Sequence, residues 1–129
     1  MNFTELFSDK RLLEIFPAER TDSFFEALFG DSQEGSFDIN LKFARHDSVH
    51  NSLHFELQLK QRPGKCLACN LTYGLPEVFT RHPVININGL VKGINNLLED
   101  GTQCSNWSLG NTQVIANDLH IIPLTVLLG

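Results

Sequence analysis

Two runs decide the fold: SFDINLKFA (residues 36–44) and SLHFELQLKQ (residues 52–61). In the first, Phe37, Ile39, Leu41 and Phe43 alternate with Asp38, Asn40 and Lys42. In the second, Leu53, Phe55, Leu57 and Leu59 alternate with His54, Glu56, Gln58 and Lys60. Successive side chains of an extended strand point to opposite faces, so a period of two builds strands with one apolar and one polar face. Burial on one face only marks an antiparallel sheet, because strands covered on both faces read as unbroken apolar runs.

The pattern extends past Pro63-Gly64. Leu67, Cys69, Leu71 and Tyr73 share one parity, and Cys66, Ala68, Asn70 and Thr72 share the other. This predicts a third strand, with Arg62-Pro63-Gly64 as an odd-length turn and Leu57 opposite Cys69 or a register slipped by two. On such a strand Cys66 and Cys69 point to opposite faces. They then neither chelate one metal nor close a disulfide.

Toward the N-terminus the period is helical. Leu12, Leu13 and Phe16 share a face, capped by Ser8 or Asp9 and ended by Pro17. In ERTDSFFEALFG, Ser23 and Glu26 have capping-box spacing, Phe25, Leu28 and Phe29 form a face, and Gly30 stops the helix. GLPEVFTRHPV (residues 74–84) reads as a loop punctuated by Pro76 and Pro83. Beyond it, Ile87, Leu90, Val91, Ile94, Leu97 and Leu98 predict an amphipathic helix capped by Asn86 or Asn88 and stopped by Gly101. Gly89 and Gly93 on that helix permit a close neighbour. The last quarter reads as a hairpin turning at Gly110-Asn111, then an apolar strand whose Pro123 implies an edge, a bulge or a strand end. The expected fold is therefore α+β over residues 1–129 as a single domain. Its antiparallel sheet is a three-strand meander plus two or three C-terminal strands, with helices packed on one face.

Composition narrows function. Fifteen acids against ten bases give a net charge of −5, and the densest basic cluster is Lys60, Arg62 and Lys65. Nucleic-acid binding needs a basic stripe, so none is expected. No apolar run approaches the roughly 20 residues that span a bilayer, and the N-terminus lacks the basic start of a signal peptide. A cytoplasmic location away from membranes, with reduced thiols, is the expectation.

The candidate chemistry is sparse. A zinc site would need Cys66, Cys69, Cys104 and one of His54, His82 or His120, but there is one CxxC and no second pair. No metal or other cofactor is expected. A thioredoxin-like role needs the CxxC at a helix start, and here it lies in a β-periodic run. Cys66, on the exposed parity near Lys65, remains a candidate reactive thiol. His46 and His50 flank a polar loop, His54 lies on the polar strand face, and His120 reads as a hydrogen-bonded, half-buried side chain. No nucleophile elbow or glycine-rich phosphate loop is present, so no catalytic residue is assigned. Tyr73, Glu77, Arg81 and His82 are candidate ligand-binding residues at the rim of a pocket under residues 74–83.

A non-enzymatic binding domain follows, with a protein partner or a second copy held by sheet face or edge. A small ligand-binding protein or enzyme using the pocket is the alternative. The order helix, three-strand meander, helix, two strands, at this length and acidic charge, resembles the small dimeric chaperones of type III secretion. That resemblance implies a protein-binding dimer.

Overall fold

The computed structural model describes residues 1–68 and 72–129. Three helices lead: α1 (Phe3–Leu6), α2 (Asp9–Ile15) and α3 (Glu19–Phe29), followed by a 3-10 turn at Ser32–Glu34. Strands β1 (Phe37–Asp47) and β2 (Ser52–Gln61) form a hairpin, then come α4 (Leu75–Arg81) and α5 (Ile87–Leu97). Strands β3 (Cys104–Leu109), β4 (Gln113–Ala116) and β5 (Leu119–Leu128) end the chain. The sheet is five-stranded and antiparallel, in the order β1-β2-β5-β3, with β4 also paired to β5. Helices pack against it, so the α+β architecture read from the periodicity is the one observed. Among the described residues no helix is long and apolar enough to cross a membrane.

The two opening runs form β1 and β2 in the expected register, with Leu41 opposite Leu57 and Phe43 opposite Phe55. The third strand does not follow them. The second neighbour of β2 is β5, which sets Phe55 against Leu124, Leu57 against Ile122 and Leu59 against His120. Both sides of Leu57 are thus occupied, and the expected place of Cys69 lies outside the described residues. A ten-residue, β-branched run offers more paired apolar positions than residues 66–73 can. The chain leaving β2 turns instead: Gly64 takes φ +74°, Lys65 N–H donates to Arg62 C=O at 3.1 Å, and Leu67 N–H donates to Gln61 Oε1 at 2.9 Å. Leu67 is buried as its parity implies, but Tyr73 is exposed and Thr72 is buried, the reverse of a strand.

Other departures have local causes. Residues 74–84 hold helix α4, because Pro76 occupies a first-turn position where its missing N–H costs nothing. Helix α3 begins at Glu19, ahead of the expected Ser23 capping box, and Thr21 is buried where its Oγ1 accepts the Ile39 N–H at 3.2 Å. Gly110-Asn111 is no hairpin turn. It interrupts one line of chain, β3 then β4, that runs along a single side of β5. Pro123 therefore sits in an interior strand. Its carbonyl accepts Gly110 N–H at 2.8 Å, so its own missing N–H faces this interruption. Ser8, Asn86 and Gly30 cap helices as expected.

The core lies between sheet and helices and holds two aromatic clusters. Phe7, Phe43 and Phe55 meet edge-on or tilted with centroids 5.1–5.4 Å apart, with Phe3 flanking. Phe24, Phe25, Phe29, Phe37 and Phe79 form the second cluster around the C-terminal half of α3. Gly93 brings α5 close to α2, where a Cβ would lie 3.1 Å from Ile15 Cγ2, while Gly89 meets only the capping Asn86. Gly35 is tighter still, since a methyl there would overlap the buried Phe25 ring. Its φ of −67° is ordinary, so the demand for glycine is steric. Gly35→Ala is expected to lose about 1–3 kcal/mol in urea unfolding.

Candidate functional site

The residues picked out by sequence do not meet in one place. Glu77 and Arg81 pair with each other along the exposed side of α4, 3.1 Å apart. His82 turns inward: its ring stands edge-on to Phe24 at 4.9 Å, and its Nδ1 accepts the Val84 N–H at 3.2 Å. Tyr73 is exposed. Cys66, the candidate reactive thiol, is disulfide-bonded in this structure. The strand geometry that argued against a disulfide is absent around Cys66. Cys104 is free and half-buried, and burial pushes its thiol up. Among the described residues no three His, Cys, Asp or Glu side chains gather to hold a metal.

Two histidines have hydroxyl partners. On the sheet face away from the core, His54 lies between Ser52 (Oγ to Nε2, 3.1 Å) and Thr125 (Oγ1 to Nδ1, 3.4 Å). Burial, then the Arg45 charge, depresses its pKa. A serine beside a histidine invites a hydrolase reading, but Ser52 is 1% exposed and cannot meet a substrate. On the core face, His120 Nδ1 meets Thr72 Oγ1 at 2.8 Å, and the Thr72 carbonyl accepts the Thr112 hydroxyl at 2.7 Å. All three residues are buried.

One cavity stands beside this network. It is a groove of about 190 Å³ lined by Phe24, Phe25, Leu28, Phe29, Phe37 and Leu75, with Thr72, Ser36 and Glu34 as its polar members. Leu28 and Phe29 on its rim are 48% and 56% exposed. Tyr73, between Thr72 and Leu75 in the chain, is 69% exposed. A cavity of about 150 Å³ holds a benzene ring, so this one has room for a single aromatic side chain. Sequence periodicity named Phe25, Leu28 and Phe29 as one helical face. It gave no sign that half of that face stays uncovered, because the cover depends on where residues 72–75 return.

A second hollow, of about 400 Å³, lies between α5 and β3 and is lined by Asn88, Lys92, Cys104 and Trp107. The Trp107 indole N–H donates to Asn88 Oδ1 at 2.8 Å. The backbone N–H groups of Cys104 and Trp107 are taken by Asn95 Oδ1 and Asn106 Oδ1, each at 2.8 Å. These donors are not available to an added strand, a common way of blunting a sheet edge. At the opposite edge, Thr21 occupies the N–H of Ile39.

The likeness to the secretion chaperones rested on a meander whose third strand does not form among the described residues. The chain matches no protein-family model, no curated protein and no solved structure.

Proposed function

We propose that the protein is a non-enzymatic interaction domain that associates with a second copy of itself through the groove between α3 and the start of α4. One observation carries this: an aromatic-sized hole and exposed apolar knobs occupy the same patch. A twofold interface needs a self-complementary patch, in which each copy supplies the knob that fills the other's hole. Phe29 is such a knob, stacked on Phe25 at 6.0 Å on one side and open on the other. The blunted β3 edge and the occupied Ile39 N–H turn association away from strand addition and toward side-chain packing.

Sedimentation across a concentration series tests this on the wild type and Phe29→Ser. The wild type is expected to pass from monomer to dimer. Burying a phenylalanine contributes about 1.5–3 kcal/mol, so the variant's dissociation constant should rise at least about tenfold with an unchanged circular dichroism spectrum. A wild type that stays monomeric at every concentration, or a variant that dimerises equally well, defeats the proposal.

A further inference from the structure

We infer that His120, Thr72 and Thr112 form a proton-sensitive latch that holds one wall of the α3–α4 groove in place. Thr72 is the joint. Its hydroxyl meets His120 of β5, its carbonyl accepts both the Thr112 hydroxyl at 2.7 Å and the Leu75 N–H at 3.1 Å, and the residue lines the groove. Leu75, also a groove residue, opens α4. The latch thus ties the β4–β5 end of the sheet to the start of α4.

The chemistry of the imidazole makes the tie sensitive to protons. His120 is 4% exposed, and its Nε2 has no hydrogen-bond partner among the described residues. A neutral ring carries one donor and one acceptor nitrogen, and Thr72 satisfies the Nδ1 side. A protonated ring presents two N–H donors and a charge, with Thr72 Oγ1 as the one acceptor among the described residues. Among the described residues no titratable group balances that charge. From β2 the residue opposite His120 is Leu59, from β4 it is Val114, and from the connection before α4 it is Thr72. The neighbouring Lys60 belongs to the other face of the sheet, opposite Leu119. Burial alone pushes the His120 pKa below 6.5. An imidazolium here gains by reaching water, and the piece free to yield is β4, all four of whose residues are exposed.

The sign follows from the depressed folded-state value. Above about pH 6.5 both folded and unfolded states carry a neutral His120, and the latch contributes fully. As pH falls below that, the unfolded or unlatched ring takes up its proton first, and the latched form loses ground until its own lower pKa is reached.

Amide hydrogen exchange, corrected for its intrinsic pH dependence, reads the latch locally. Between about pH 7.5 and pH 5, exchange at residues 72–78 and 112–116 of the wild type should rise at least about tenfold. His120→Gln keeps a neutral polar group and should remove the step, whereas His54→Gln, on the opposite face, should leave it. Thr72→Val should exchange fast at both pH values; it also decides the matter should His120→Gln fail to fold. A wild type without the step, an equal step in His120→Gln, or an NMR titration placing His120 at or above its ordinary value overturns the latch. The exchange step does not require self-association. Should Phe29→Ser leave the oligomeric state unchanged while the step persists, the dimer proposal falls and the latch stands.

Discussion

Phe55→Ala is expected to lower the unfolding free energy by about 3–5 kcal/mol, as a fully buried phenylalanine does when its site cannot collapse. Phe55 is 1% exposed and sits in the middle of the sheet, opposite Phe43 on one side and Leu124 on the other. Its ring meets Phe7 at 5.1 Å and Phe43 at 5.4 Å, both near edge-to-face, a geometry that adds to simple area burial. Phe43 and Leu124 are held on paired strands and cannot move in to fill the void. The contrast is Phe29, where truncation should leave the stability of the monomer almost unchanged because the ring is half in water there. Urea unfolding checks both, and the Phe55 variant should shift its midpoint without a change of slope. A loss for Phe55→Ala below about 1 kcal/mol would mean that α1 and the β1–β2 hairpin do not share one core.

That contrast shows how far periodicity carries. Alternation placed Phe37, Ile39, Leu41, Phe43, Leu53, Phe55, Leu57 and Leu59 on the core face, and all are buried except Phe43, which is partly buried and packed against the core. A period of two is a local property of the chain, so local sequence records it. Which strand lies beside β2 is not local. Residues 65–73 and β5 both offer apolar alternation, and the choice falls to β5 because it presents nine paired positions. The same limit hides the groove. Thr72, Thr112 and His120 are separated by 40 and 48 residues from one another's hydrogen-bond partners, and no motif spacing connects them. Helix α4 was hidden for another reason: a proline two residues after a glycine reads as a breaker, yet at a first turn it is a starter.

Arg62 is the extreme case of this blindness, and its removal is the second large effect. From sequence it is a turn residue before Pro63. In the structure its side chain is only 14% exposed and joins four segments. Its guanidinium donates to Asp22 at 2.8 Å, to Asp38 at 3.0 Å and to the Ser32 carbonyl at 2.8 Å, and lies 5.3 Å from the centroid of the Phe25 ring. Arg62→Ala should cost about 2–4 kcal/mol. The ion pairs carry little of this, because the Asp22 and Asp38 side chains are 56% and 57% exposed and keep their water when the cation goes. The larger share comes from the packed stem, the face of Phe25 and the Ser32 carbonyl, which loses its shorter donor and keeps only the Gly35 N–H at 3.4 Å. Three results follow from that division, all measurable by urea unfolding. Asp22→Asn and Asp38→Asn should each cost less than about 1 kcal/mol. About 1 M salt, which screens exposed pairs, should leave most of the Arg62→Ala loss in place. Arg62→Lys should recover only a minor part, since an ammonium is a point charge that cannot reach an aspartate, a carbonyl and a ring together. If salt instead erased the loss, or either aspartate variant matched it, the network would be held by exposed charge and the buried guanidinium would have no special part in fixing α3 to the hairpin.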